Sequence, residues 1–271
     1  MANGRQDPNS QYPGVSNTEN SITRNGFRIS TVKLPILKAE PIDQMVAKLG
    51  IAVPEMIFGD NSVSIAYPSK GWSIKFNAFD ALDRVDKTGE KMLQVAYSRE
   101  WQSTRQDQHE SINRVIKPFD WSYSTDYKGT VQAGDYPFQP SARSIPLELL
   151  KRPDPILFFD EVVLYEDEMA DNGITMLSCK IRVMAERLLL LVRFFMRLDG
   201  VMFRLRDTRV YVEFNTGEII REYTAKQEQY ETVRETLSAT QKDIHALMRD
   251  PNAISELLPT LERTVEYVKL S

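Results

Sequence analysis

Two histidines, one cysteine and many carboxylates and guanidiniums are the reactive groups of this 271-residue chain. His109 lies in a polar stretch, His245 lies on a charged one, and neither neighbours Cys179. Nucleophilic catalysis needs a nucleophile within reach of a base, and structural zinc needs about four Cys or His ligands. The chain hardly has the residues for either. Cys179 alternates with Ile181 and Val183, the spacing of a strand face turned into a core, so an inert buried thiol is expected. A carboxylate-pair hydrolase stays open on composition, but no pair stands out. Phosphate-binding glycine loops, the dinucleotide fingerprint, HExxH and GxSxG are all missing. The acidic cluster Asp160, Glu161, Glu166, Asp167, Glu168 and Asp171 lacks the ligand spacing of an EF-hand loop. Lys180 and Arg182 follow closely, so a solvated turn with cross-strand pairs is expected. No cofactor and no metal are expected.

The cations have a pattern. From Leu188 to Tyr211 the chain reads as two strands joined at Asp199-Gly200, where glycine accepts the positive φ of a two-residue hairpin turn. Setting Leu198 opposite Val201 pairs Met196 with Phe203 and Phe194 with Leu205, all on one face. The other face then carries Arg193, Phe195, Arg197, Met202, Arg204 and Arg206. Asp207 falls on the apolar face opposite Val192, where an unpaired buried carboxylate is costly. Either it sits at the open end of the hairpin, bonded to Thr208 or Arg209, or it marks a recognition surface. Planar guanidiniums suit carboxylate capture, and the alternative for the arginines is a solvated face with stems over apolar neighbours.

The elements around this ribbon are mostly strands. Residues 1–25 have little to bury and read as a disordered tail, with order starting near Phe27 in one domain over 26–271. Pro41–Leu49 reads as a helix ended by Gly50, and Ser62–Tyr67 with Trp72–Phe76 as a hairpin. Asn77 followed by Asp80 resembles a capping box, which gives Asp80 a structural role. A strand over Lys91–Ala96 and a helix over Arg99–Arg105 are expected, and Trp121, Tyr123, Thr125 and Tyr127 share one side of a strand. A turn of helix falls at Leu147–Leu150. Phe158–Glu166 with Ile174–Met184, and Tyr211–Phe214 with Ile219–Tyr223, read as further hairpins. Gln227–Leu237, Gln241–Met248 and a segment starting at Asp250-Pro251 read as helices, the last broken at Pro259. The fold class is α+β: antiparallel sheets built from hairpins, packed by N- and C-terminal helices.

A net charge of −4 argues against non-specific nucleic-acid binding. The first residues lack an apolar signal region, and no apolar run reaches the ~20 residues a bilayer needs. A soluble, cytoplasmic protein without membrane contact is expected.

Longer strings carry a resemblance. PEMIFGDN (54–61), FNAFDAL (76–82), VIKPFDWSYSTDYKGT (115–130), FFDEVVLYEDEMADNG (158–173), KIRVM (180–184), LLLVRFFMRLDGVMFRLRDTRVY (189–211) and REYT (221–224) run collinearly, and DPNAISELLP (250–259) follows. Together they resemble the TIPRL family, the TOR signalling pathway regulator-like proteins. The resemblance implies a non-enzymatic regulator that binds catalytic subunits of type 2A family protein phosphatases and holds them in a less active form. It implies a cleft for the C-terminal tail of the phosphatase, and an alpha-four-type chaperone as a further partner. Family binding positions match Asp80 in FNAFDAL and Leu205 and Asp207 in FRLRDTR, while Ile145 lies in a Pro-rich segment. On this reading the tail lies near the open end of the hairpin, with Asp80 and Asp207 as acceptors and Arg193, Arg197, Arg204 and Arg206 around its carboxylate. The rivals are a scaffold that binds without changing activity and the carboxylate hydrolase.

Overall fold

Alternating apolar side chains build two antiparallel sheets, and one core fills the space between them. The computed structural model describes residues 18–88, 119–239 and 243–270. The smaller sheet has the order β1-β2-β4-β5-β6, from Thr18–Arg24, Phe27–Lys33, Ser62–Tyr67, Trp72–Asn77 and Thr130–Gln132. The larger has the order β3-β8-β9-β10-β11-β12-β13-β7. Its strands are β3 (Met56–Ile57), β7 (Gln139–Pro140), β8 (Phe158–Asp167), β9 (Gly173–Val183), β10 (Arg187–Leu198), β11 (Met202–Glu213), β12 (Glu218–Gln229) and β13 (Thr260–Lys269). Helix α1 spans Ala39–Leu49 and ends at Gly50, whose φ of 72° fits the left-handed cap. Helix α2 (Ala78–Leu82) starts at Asn77, as its capping pattern predicts. Helices α3 (Leu147–Leu150), α4 (Tyr230–Ser238), α5 (Ile244–Leu247) and α6 (Pro251–Leu257) are the others among the described residues. The α+β class, the hairpins and the free buried Cys179 agree with the sequence reading.

The inner face of the larger sheet is apolar. Val162, Leu177, Cys179, Leu190, Val192, Phe194, Met196, Val210 and Val212 meet Phe27, Ile29, Ile65, Trp72, Ile74 and Phe76 of the smaller sheet. Each such side chain contributes roughly 1.5–3 kcal/mol as an upper bound. The outer face is covered too, in two places. At one end Phe195, Phe203 and Leu205 lie under Val233, Leu237, Met248, Ile254 and Leu258 of the helical segment. At the other, Ile145 packs on Tyr211 and Ile220, with Leu150 and Leu189 beside it. Strands buried on both faces read as continuous apolar runs, which explains the Leu188–Leu191 stretch.

Four expectations are corrected. The central hairpin pairs Leu198 with Met202, not Val201, and this one-residue slip places Phe195 opposite Leu205 and Arg193 opposite Asp207. The supposed oily and cationic faces are therefore both mixed. The 18–24 part of the expected tail is strand β1, turned onto β2 at Asn25-Gly26. The segment around Trp121–Tyr127 forms no ladder, and Tyr123 sits at φ 55°, although Tyr123, Thr125 and Tyr127 do point inward. The chain's last described element is a strand, β13, and β12 runs on to Gln229 before α4 begins. The expected elements over Lys91–Ala96 and Arg99–Arg105 lie outside the described residues.

Candidate functional site

The expected site residues do not form one cluster; the larger sheet separates them. On its outer face, Asp207 is 1% exposed and faces Arg193 across the hairpin. Arg193 Nε and Nη2 donate to its two carboxylate oxygens at 2.8 Å each, and Arg193 Nη1 donates to Asn252 Oδ1 at 2.9 Å. Arg209 Nη2 donates to Asp207 Oδ2 at 3.1 Å, and Arg209 Nη1 to Glu222 Oε1 at 3.1 Å. Arg263 of β13 closes the chain with Nε and Nη2 on Glu222 Oε2 at 3.0 and 2.5 Å. Three guanidiniums and two carboxylates thus alternate across the sheet. Asp207 is sealed beneath this network rather than at an open hairpin end; its bond to Arg209 agrees with the sequence reading, and Arg193 is its main partner because of the shifted register.

The outer network floors a groove of about 420 Å³. One wall is apolar: Ile145, Leu147, Leu150 and Leu189. The other side carries Arg209, Lys226 and Arg263 with Glu222. The helical segment bounds the groove, where Lys226 Nζ donates to the Ser255 carbonyl at 2.6 Å. Leu205 is fully buried beneath that segment and Ile145 is 5% exposed. The groove combines an excess of cations with an apolar wall, a setting for a carboxylate that ends an apolar peptide segment.

Asp80 stands on the other side of the sheet. Asn77 Oδ1 accepts the Asp80 N–H at 2.9 Å, and the Asp80 carboxylate accepts from Asn77 Nδ2 at 2.7 Å and from the Thr130 hydroxyl. It lines a cleft of about 620 Å³ with Asp83, Arg84, Asp126, Lys128 and Arg221. Arg221 there is held by Glu266 and the Lys128 carbonyl, and Lys128 lies over the Tyr223 ring.

The remaining arginines separate as well. Arg197 pairs with Asp199 at 2.7 Å beside the turn. Arg204 and Arg206 point to the inner face, with Arg204 donating to Ser124 Oγ at 2.6 Å and Arg206 to the Lys226 carbonyl at 2.9 Å. None of the four forms the expected solvent-facing row. Glu222, Lys226 and Arg263 were missed by sequence reasoning. The alternation of Arg263 with Leu261 and Val265 carried the one usable signal, a strand after Pro259.

The acidic cluster behaves as a structural feature. Lys180 pairs with Glu161 across strands at 2.9 Å. Asp160 is buried and binds Lys33 Nζ and Thr31 Oγ1 at 2.5 Å each, joining the two sheets. Among the described residues no His, Cys, Asp and Glu group is arranged to hold a metal ion, and no helix is long and apolar enough to cross a membrane.

Residues 56–234 match the model of the TIP41-like family. The chain is 39% identical over 267 residues to the type 2A phosphatase activator TIP41 of Saccharomyces cerevisiae, covering 92% of this chain and 74% of that one. It is 38% identical to the TIP41-like protein of Homo sapiens, covering 93% and 90%. The type 2A phosphatase activator tip41 of Schizosaccharomyces pombe is 34% identical, covering 88% and 95%.

Proposed function

Because the chain belongs to the TIP41-like family, we propose that it regulates a type 2A family protein phosphatase by binding its catalytic subunit, in cytoplasmic TOR-linked signalling, and is not itself an enzyme. Two yeast relatives carry the name of phosphatase activator, which supports the partner class. The sequence resemblance implied restraint of the phosphatase instead, so the reading is regulation through binding, and an activity assay gives its sign. An alpha-four-type chaperone is the second partner in this reading.

The observation that carries it is the outer groove. Its apolar wall at Ile145, Leu147 and Leu150 faces Arg209, Lys226 and Arg263. The C-terminal tail of the phosphatase would lay an apolar side chain on that wall and its terminal carboxylate on the cations. Leu205 and Asp207 then support binding from beneath, by seating the helical segment and holding Arg209. Asp80 contacts the phosphatase through the separate cleft.

The test is a pull-down with the catalytic subunit, intact and lacking its last few residues. Capture should fall at least tenfold without the tail. Arg263→Ala, at a side chain about half exposed, should cause a similar loss with the intact subunit. Undiminished capture of the shortened subunit would sink the tail reading. Binding without any change of phosphatase rate would favour a scaffold.

A further inference from the structure

Among the described residues the buried Arg187, Arg193 and Arg221 pair closely with carboxylates, whereas buried Arg204 and half-buried Arg206 share a neutral amide, and Arg204 has only a longer ion pair, to Asp120. Arg204 is only 8% exposed, and its nearest carboxylate oxygen, Asp120 Oδ2, is 3.6 Å away. Arg206 forms no ion pair among the described residues, and its closest acceptors are the backbone carbonyls of Lys226 at 2.9 Å and Leu205 at 3.1 Å. The two side chains stand two positions apart on one face of β11, and Gln227 lies directly across from Arg204. Both converge on Gln227 Oε1: Arg204 Nε at 3.3 Å and Arg206 Nη2 at 3.4 Å. These bonds are long for N–H···O contacts, and a neutral oxygen offers roughly half the strength of an anionic one. Burial pushes both guanidinium pKa values down, and Arg204 also lies in the field of Arg206.

The Arg204 guanidinium is also held from its other side. Ser124 Oγ sits 2.6 Å from Arg204 Nη1 and 2.8 Å from Ser122 Oγ. Its loop is fixed by Thr125 Oγ1, which donates to the Ala81 carbonyl at 2.9 Å, and by the left-handed Tyr123. The Ser122 hydroxyl donates to Asp120 Oδ1, so the Ser124 hydroxyl donates to Ser122 Oγ and accepts from Arg204, which positions that guanidinium.

We propose that Arg204, Arg206 and Gln227 form an oxyanion site that takes a phosphoryl group, with Ser124 positioning Arg204 and Gln227 Oε1 occupying the place of one phosphoryl oxygen. Two guanidiniums offer more N–H donors than the two oxygens of a carboxylate take up. A phosphoryl dianion also offsets the buried charge of Arg204, which Asp120 meets only at 3.6 Å, and the half-buried charge of Arg206. Inner-face placement makes this site distinct from the outer groove. The phosphoryl group belongs either to a phosphorylated side chain of a partner or to free inorganic phosphate.

Full-length protein would be titrated at constant ionic strength with Nα-acetyl-phosphoserine amide, inorganic phosphate, acetate and chloride, following the Arg Nε–H resonances. Saturable shifts of the Arg204 and Arg206 signals are expected with either phosphoryl probe, at least tenfold tighter than with acetate or chloride. The tighter of the two phosphoryl probes identifies the source. Arg206→Gln should weaken binding at least tenfold. Should that variant fail to fold, Gln227→Glu provides the second arm, since it supplies the missing anion internally. It should raise the melting temperature and abolish phosphoryl binding. Phosphoryl shifts no stronger than those with chloride would overturn the proposal, as would a folded Gln227→Glu protein that binds phosphate unchanged.

Discussion

Asp207 shows how one side chain can be found in a sequence and still be misplaced. A carboxylate at a strand position surrounded by Leu205, Val210 and Val212 is visibly out of pattern. Its partner was not legible, because Arg193 reaches it only in the register actually formed. With both oxygens held by Arg193 and the group 1% exposed, Asp207→Ala leaves a buried guanidinium without its anion. Breaking such a pair costs about 3–5 kcal/mol, so urea unfolding should show a loss of that size. Replacing both partners together, Arg193→Met with Asp207→Leu, should restore most of it, because well-packed apolar pairs substitute for buried ion pairs. A second carboxylate sets the acid limit. Burial pushes Asp160 up, but Lys33, Thr31, Asn20 and the Glu161 N–H outweigh it and hold its pKa below the usual value. A depressed carboxylate stabilises the fold above its unfolded pKa, about 4, and that contribution disappears as pH falls through the folded value. Asp160→Asn should therefore lower stability at neutral pH and flatten its fall below about pH 4.

Turns decide what the strands present. Asp199-Gly200 was visible as a hairpin turn, but the loop holds three residues, Asp199 to Val201, with Gly200 at φ 69°. One added residue turns every β11 side chain to the opposite face relative to β10. Apolar composition could not arbitrate, since helices and the Ile145 segment cover the outer face and make both faces partly apolar. The missed strand β13 has a similar cause: Thr and Glu alternate with Leu261, Val265 and Tyr267 at a sheet margin, and Arg263 interrupts that apolar side, so the apolar signal is weak. Where the local chemistry was strong, in the Asn77 cap, the Gly50 stop and the Asp250-Pro251 start, element boundaries were read within a few residues. Backbone crowding marks the other hairpin. At Gly173, φ is 151°, and an added Cβ would lie 1.9 Å from the Arg197 carbonyl oxygen. Gly173→Ala should cost more than about 3 kcal/mol, combining strained φ with a backbone clash. Thermal unfolding checks this, and a Tm within a degree of the parent would refute the packing of β9 on β10.

At the scale of the molecule, the larger sheet is a partition. The outer groove and the Asp80 cleft lie on its opposite faces and share no lining residue. Sequence reading placed Asp80 and Asp207 together as acceptors for one tail; the fold separates them by the thickness of the sheet. If both surfaces touch the phosphatase, one partner must wrap an edge of the sheet or present two segments. Energetics can test that arrangement, because distant sites without shared partners add their losses. Asp80→Ala leaves the Asn77 Oδ1 cap of α2 intact, and Arg263→Ala removes a half-exposed side chain, so neither should unfold the protein. Each alone should weaken binding to the purified catalytic subunit about tenfold, close to 1.4 kcal/mol. Together they should weaken it about a hundredfold, read by surface plasmon resonance at a fixed salt concentration with melting temperatures as controls. With subunit lacking its tail, the Arg263→Ala effect should vanish while the Asp80→Ala effect persists. A double variant no weaker than the worse single one would mean that the two faces do not act independently, and that the partner engages only one of them.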